Sequence, residues 1–143
     1  MQARIFPEGG SAIEAKQKAL AAAVAAQDKK GHGITVIDLE GECSYTDFLV
    51  VISANSERQT TAIAEAITEK LRESHGERPL YREGQGGWVL IDFGDVVVHV
   101  FVEDTRAYYD IDRLWPNSPR VAVPASEPMV EEEVRPVIAM RRR

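Results

Sequence analysis

Residues 48–53 have the sequence FLVVIS, and this nearly continuous apolar run decides the fold. A run of this kind is typical of a strand that is covered on both faces. Ser56 and Gln59 follow it at the spacing of a capping box, in which two side chains satisfy free N–H groups of a first helical turn. Apolar residues then recur every four positions, which predicts a helix over about 56–74 that ends at Gly76. The stretch is therefore a strand, a turn and a helix.

The chain before this unit follows the same logic. Ser11 and Glu14 form a second capping-box pattern, which predicts a helix over about 12–28. Glycines 31 and 33 suit the end of that helix. The β-branched residues at 34–39 predict a strand, and Gly41 lies in the turn that follows it.

The chain after the unit is richer in strands. The predicted elements are strands at 78–83, 88–92 and 95–102 and a short helix at 108–114 that Pro116 ends. Phe93 and Gly94 suit a two-residue hairpin loop, which would pair Leu90 with Val97 and Trp88 with His99. Strand alternation places Trp88, Leu90, Val97, His99 and Phe101 on one face of the hairpin. The valine-rich opposite face is the better candidate for the core.

Length and element order define the fold class. The chain has 143 residues, 44% of them hydrophobic and 28% charged, which suits one globular domain with short tails. The order of elements predicts an α/β sandwich with a mixed sheet of about five strands flanked by helices. We expect residues 1–11 to be a flexible leader, residues 12–121 the folded domain, and the proline-rich residues 122–143 a disordered tail.

Charge and cysteine content restrict the partners. Residues 31–115 carry seven basic and sixteen acidic side chains, a net charge of −9. Such a surface attracts basic proteins and repels phosphate backbones, so we expect no sequence-independent binding of nucleic acid by the surface as a whole. We also expect no direct sequence-specific nucleic-acid partner. Apolar runs stay well below the ~18 residues of a membrane span, so no membrane partner is expected. A single cysteine, Cys43, is most simply explained by a cytoplasmic location.

Candidate catalytic motifs are weak. The glycines at 84, 86 and 87 precede a predicted strand rather than the helix that a phosphate-binding loop requires, so they indicate a hairpin loop. Asp47, Asp92 and Asp95 could hold a divalent cation for nucleotidyl transfer, although paired carboxylates on one strand are missing. Asp92 and Asp95 are also ordinary turn residues.

Aromatic residues concentrate in 28 positions near the end of the predicted domain. This stretch contains both tryptophans and two of the four tyrosines. The residues of interest in this stretch are Trp88, His99, Phe101, Tyr108, Tyr109, Leu114 and Trp115. Such a composition is typical of a protein-binding surface, and packing against the sheet is the equally open alternative.

Three motifs resemble the ribosomal silencing factor family, also called the Iojap family. They are SYTDFLVVISANSERQ at 44–59, GWVLIDFGDVVVHVF at 87–101 and YYDIDRLW at 108–115. The departures are small, since Phe48 replaces a common tyrosine and Ala54 a common glycine. The resemblance covers about residues 12–121. It implies a nucleotidyltransferase-like fold that carries no such activity, with no cofactor.

The resemblance also implies a partner and a mechanism. Members of the family bind the large ribosomal subunit through ribosomal protein number fourteen, block its association with the small subunit and so repress translation. The expected contacts are Asp47, Trp88, Leu90, Asp95, His99, Tyr108, Tyr109, Asp110, Leu114 and Trp115. The alternatives are a metal-dependent nucleotidyltransferase that uses Asp47, Asp92 or Asp95, and a homodimer that buries the aromatic face when the protein is free.

Overall fold

The computed structural model describes residues 8–125 and contains alternating helices and strands. The elements in chain order are α1 (Glu8–Asp28), β1 (His32–Asp38), β2 (Phe48–Ala54), α2 (Glu57–His75), β3 (Tyr81–Gln85), β4 (Trp88–Asp92), β5 (Val96–Val102), α3 (Glu103–Tyr109), a 3₁₀ helix (Ile111–Leu114) and β6 (Arg120–Val121). Most of the predicted leader and tail lie outside the described residues. No helix among those described has both the length and the apolarity to cross a membrane.

The strands of this region form one mixed sheet in the order β3-β4-β5-β2-β1-β6. β2 and β5 are parallel, and the other neighbouring pairs are antiparallel. The predicted α/β class with a mixed sheet is confirmed. The sheet has six strands rather than about five, because the two-residue β6 pairs with β1 at one edge. A strand so short has no alternation pattern from which to predict it.

The strand that begins at Phe48 is central and buried along its whole length, as the sequence predicted. The helix that follows begins as predicted, since the Ser56 hydroxyl oxygen accepts a hydrogen bond from the Gln59 N–H at 3.1 Å. The side-chain amide oxygen of Gln59, Oε1, accepts a hydrogen bond from the backbone N–H of Asn55, one residue before the cap. Gly76 ends the helix at a φ of 65°, a conformation that glycine adopts without strain.

The ends of α1 differ from the predicted ones. The helix begins at Glu8, so Ser11 lies inside the helix and is not its N-cap. At the other end Lys30 has a φ of 69° and takes the left-handed position that was predicted for a glycine. The Gly31 N–H then donates to the carbonyl oxygen of Ala26. A capping pattern marks a position at which a helix can begin or end, and α1 uses the predicted position at neither end.

One face of the sheet is covered by the two long helices. The α1 side of this core consists of small residues, and Ala15, Ala19, Ala22, Ala23 and Ala26 are completely buried. α2 contributes Ile63, Ile67 and Leu71. Short alanine side chains let α1 approach both α2 and the strands closely. The valine-rich face of β4 and β5 packs here, as predicted, so the opposite face of the sheet is left for other contacts.

β4 and β5 form the predicted antiparallel hairpin, but the predicted register was wrong by two residues. The observed pairs are Trp88 with Phe101, Leu90 with His99 and Asp92 with Val97. The loop residues are Gly94 and Asp95, because the Phe93 N–H donates to the carbonyl oxygen of Val96. Gly94 has a φ of 95°, which a two-residue hairpin loop accepts at its first position. A shift of two residues leaves every side chain on its predicted face.

The helix predicted at 108–114 is two elements. α3 starts directly after β5 and stops at Asp110, whose φ is 50°. The 3₁₀ helix continues from there to Leu114. The left-handed residue turns the chain, so that the two short helices lie against the open face of the sheet rather than extending as one.

Candidate protein-binding site

The sheet face opposite the long helices carries a smaller apolar cluster. Its fully buried members are Ile37, Leu39, Leu49, Val51, Val97 and Phe101. Trp88, Leu90, Ile111 and Trp115 pack against them and remain partly accessible. We call the residues Trp88, Leu90, His99, Tyr108, Tyr109, Leu114 and Trp115 the open-face patch. The structure brings these seven predicted residues to one side of the sheet.

Trp88 lies at the centre of the patch. Its ring centroid is 4.9 Å from that of Phe101 on the neighbouring strand and 4.6 Å from that of Tyr109 on α3. Both pairs are tilted, within the range in which aromatic rings attract each other. Trp88 therefore joins the sheet to α3, and it also lines a surface cleft.

His99 accepts a hydrogen bond from Trp88. The indole Nε1–H lies 3.0 Å from the imidazole Nδ1. Since indole can only donate, this geometry places the ring proton of neutral His99 on Nε2. Burial lowers the pKa of His99 to about 4, although the nearby carboxylate of Asp112 raises it in part. His99 is thus neutral near pH 7 and belongs to a mainly apolar surface.

Arg106 fastens α3 and the 3₁₀ helix to the sheet. Its guanidinium forms a two-pronged contact with Asp112, at 2.7 and 3.3 Å. It also donates to the Gly33 carbonyl oxygen, the Ser53 hydroxyl and the Thr35 hydroxyl. A Cβ at position 33 would lie 3.0 Å from the guanidinium, so the glycine makes room for it. The contact spans 73 residues of sequence and fixes the segment that carries half of the patch.

Arg120 supports the end of the same segment. Its guanidinium donates to the carbonyl oxygens of Trp115, Ser118 and Asp112. These oxygens belong to the end of the 3₁₀ helix and the turn after it, where no further helical N–H is available. Residues 106–120 are therefore anchored at both ends by side-chain hydrogen bonds, those of Arg106 at the start and those of Arg120 at the end.

Three members of the open-face patch are strongly exposed. Tyr108 is 80% accessible, Leu114 66% and Tyr109 50%. Large apolar side chains that are held rigidly and left in water are typical of protein-binding surfaces. Tyr108 and Leu114 therefore do not pack into the core, whereas Phe101 of the same aromatic stretch is completely buried against the sheet.

Two clefts flank the patch. One has a volume of about 330 Å³ and is lined by Glu83, Gly84, Trp88 and Leu90. The other, of about 130 Å³, is lined by Tyr45, Leu49, His99, Ile111, Leu114 and Trp115. Both are mainly aromatic and aliphatic, which suits the insertion of partner side chains.

The three predicted acidic contacts are not equivalent. Asp110 lies between α3 and the 3₁₀ helix, within the patch, and pairs at the surface with Arg113. Asp47 and Asp95 lie where β2 and β5 begin, whereas Trp88 is paired with Phe101 near the end of β5. The structure therefore places those two away from the centre of the patch.

Asp95 also has a structural partner. Its Oδ2 lies 2.9 Å from the ammonium nitrogen of Lys18, a residue of α1 that is only 4% exposed. Burial alone would lower the pKa of Lys18, but the hydrogen bonds and charges of Asp95 and Glu77 raise it overall. Asp47 lies next to this pair, and its own burial together with the charges of Asp95 and Asp38 raises its pKa.

Two of the three carboxylates of the alternative metal site are engaged elsewhere. Asp92 Oδ1 accepts a hydrogen bond from the Gly94 N–H and so closes the hairpin loop. Asp95 is bound to Lys18. Within residues 8–125, no group of three or more histidine, cysteine or acidic side chains is arranged to hold a metal ion. The geometry therefore gives the nucleotidyltransferase alternative no support.

Sequence reasoning missed several residues of this surface. Tyr45 is 62% exposed and lines the smaller cleft, and Glu83 lines the larger one. Tyr45 was accessible to inference, because it belongs to the first of the three quoted motifs. Glu83 and Arg106 carried no comparable signal, since their neighbours come from distant parts of the chain.

Comparison with known families agrees with the motifs. A family described as "Ribosomal silencing factor during starvation" matches residues 12–141. A ribosomal silencing factor of Halalkalibacterium halodurans is 41% identical over 99 residues, which cover 68% of this chain and 84% of the relative. The chloroplastic Iojap protein of Zea mays is 32% identical over 111 residues, which cover 74% of this chain and 46% of the relative.

Solved structures show the same fold. A crystal structure of a protein from Chromobacterium violaceum superposes with a TM-score of 0.68 at 38% identity, covering 79% of this chain and 96% of that one. A second, from Bacillus halodurans, superposes with a TM-score of 0.62 at 40% identity, covering 72% of this chain and 94% of that one.

Proposed function

The chain belongs to the ribosomal silencing factor family, and we propose that it represses translation by occupying the large ribosomal subunit. In this proposal the partner is ribosomal protein number fourteen, and the bound domain sterically prevents the small subunit from joining. The protein acts by filling space, so no bond is made or broken.

The open-face patch is the observation that carries the proposal. It is apolar and exposed, and it is held rigid by aromatic packing at Trp88 and by the hydrogen bonds of Arg106. A surface that is ordered before binding loses little conformational entropy when the partner docks. The exposed side chains of Tyr108 and Leu114 are then available to enter pockets on the partner.

Charge supports a basic partner. Residues 31–115, which include five of the six described strands, carry a net charge of −9, and Asp110 lies inside the patch itself. Acidic groups at the rim of such a surface increase the rate of encounter with a basic protein more than they increase affinity. We therefore expect association to slow as salt is added, since the screening length is about 8 Å at physiological ionic strength.

Subunit reassociation tests the proposal directly. Purified large subunits are incubated with the protein, small subunits are added, and the mixture is separated on a sucrose gradient. Wild-type protein is expected to leave the subunits separate and to sediment with the large one. Normal joining at saturating protein would contradict the proposal.

A matched pair of variants locates the interface. Leu114→Ala shortens an exposed side chain of the patch and is expected to weaken large-subunit binding by about 1–2 kcal/mol. Leu80→Ala is the control. Leu80 is also strongly exposed, at 75%, but its side chain lies beside Gly94 of the β4–β5 loop and is not part of the open-face patch. Equal binding by the two variants would remove the patch from the interface.

A further inference from the structure

The larger cleft has two chemically different walls. Trp88 and Leu90 of β4 provide an aromatic and an aliphatic wall, and Glu83 of the edge strand β3 provides a carboxylate. Glu83 lies directly opposite Leu90 in the strand pairing, so its side chain is on the same sheet face. With about 330 Å³ the cleft is at the small end of ligand sites, a size suited to one long side chain.

The carboxylate of Glu83 is not neutralised by the domain. One of its oxygens accepts a hydrogen bond from the Tyr81 hydroxyl at 2.6 Å. Among residues 14–125, no lysine, arginine or histidine forms an ion pair with it. The neighbouring Arg82 points to the other sheet face, where it pairs with Glu65 of α2. Glu83 therefore offers an uncompensated negative charge beside an indole ring.

We propose that this cleft receives an arginine side chain of the basic partner, whose guanidinium pairs with Glu83 while its planar group and aliphatic stem lie against Trp88 and Leu90. The inference rests on the proposed function and adds to it the chemistry of one contact. Arginine fits better than lysine, because its planar cation stacks on aromatic rings and binds a carboxylate with two parallel hydrogen bonds. A cation that lies over the face of an indole ring gains a further electrostatic attraction.

The surroundings make the contact specific. Gly84 has a φ of 122°, and a Cβ at this position would lie 2.1 Å from the Trp88 carbonyl oxygen, so this position of β3 admits no side chain. The Tyr81 hydroxyl fixes the orientation of the Glu83 carboxylate before a ligand arrives. An acid that is already oriented loses less side-chain entropy when it binds its cation.

The first test measures binding to the large subunit. Glu83→Gln keeps the size of the side chain and removes its charge, and we expect about a fivefold to tenfold loss of affinity. Glu73→Gln is the matched control, since Glu73 is an exposed acid on α2, on the other side of the sheet. Wild-type affinity for Glu83→Gln would overturn the inference and leave the proposed function standing.

The second test does not need the ribosome. N-acetyl-arginine amide and its neutral isostere N-acetyl-citrulline amide are titrated into the full chain, and the indole N–H resonance of Trp88 is followed by NMR. The arginine compound is expected to shift this resonance in wild type, and the shift is expected to vanish in Glu83→Gln. Equal shifts with the two compounds would overturn the inference. A failure of the wild-type protein to bind large subunits would instead overturn the proposed function.

Discussion

Removing Arg106 should detach the segment that carries half of the open-face patch. Its guanidinium makes five hydrogen bonds, two to Asp112 and three to groups of β1 and β2. In Arg106→Ala all five are lost at once. Asp112 then keeps a largely buried carboxylate without its cation, since its side chain is 21% exposed.

The magnitude follows from the burial of the pair. Removing one partner of a fully buried ion pair costs about 3–5 kcal/mol. Both side chains here retain some contact with water, at 16% and 21% exposure, and the freed acceptors of β1 and β2 can be rehydrated. We therefore expect about 2–3 kcal/mol. A domain of this size has about 5–15 kcal/mol of stability, so the sheet and the long helices should stay folded.

Amide hydrogen exchange distinguishes local opening from global unfolding. The N–H groups of Asp110 and Arg113 donate within the segment, and their exchange in Arg106→Ala should accelerate by about thirtyfold or more. Amides of β2 should exchange more slowly than those of the segment. Arg106→Lys should fall between wild type and alanine, because an ammonium cannot reach all five acceptors.

Arg113→Ala is the control for charge alone. Arg113 is also an arginine of this segment, but its side chain is 83% exposed, and its pair with Asp110 is worth little in water. If Arg106→Ala leaves exchange in the segment at the wild-type rate, or changes it no more than Arg113→Ala does, the reasoning about this anchor is refuted.

Three further predictions concern stability. Lys18→Met should destabilise the fold by about 2–4 kcal/mol in a denaturant titration, because Asp95 loses the cation to which it is bound, and a Lys18→Met variant as stable as wild type would contradict this. Gly84→Ala should prevent normal pairing of β3, because a Cβ would lie 2.1 Å from the Trp88 carbonyl oxygen; an unchanged melting temperature would be inconsistent with the geometry. Folding lowers the pKa of His99 from its ordinary value of 6.5 to about 4, so between these two pH values the unfolded chain binds more protons than the folded chain. The free energy of unfolding should therefore decrease by up to about 3 kcal/mol as the pH falls through this window, and it should decrease by less in His99→Gln.

Local patterns predicted the centre of the fold better than its edges. β2 and α2 have uninterrupted apolar patterns and a local cap, so the information that specifies them lies within some 30 residues. The ends of α1 were mispredicted, because the helix already includes Ser11 and because Lys30, rather than a glycine, takes the left-handed conformation. β6 depends on pairing with a strand more than 80 residues away, which no local pattern reports.

The candidate site was predictable to a similar extent. The parity of β4 and β5 placed Trp88, Leu90 and His99 on one face even though the register was wrong by two, since side-chain direction has a period of two. The engagement of Asp95 by Lys18 could not be anticipated, because lysine is rarely buried and the pair joins α1 to a distant hairpin loop. The composition of the sequence therefore indicated an aromatic surface, but only the folded structure shows that Asp95, one of its predicted acidic contacts, is paired with Lys18.

The division of the sheet into two faces explains how binding and folding can be separated in this protein. α1 and α2 bury most of the valine-rich face, so the main core of the domain forms without a partner on the other face. Tyr108 and Leu114 remain mostly in water, and since hydrophobic stabilisation follows buried area, truncating them should change the free energy of unfolding by less than about 0.5 kcal/mol. Their apolar area becomes useful only when a partner covers it. Variants of Tyr108 and Leu114 should therefore lose affinity while keeping their melting temperature, whereas variants of the helix layer should lose both.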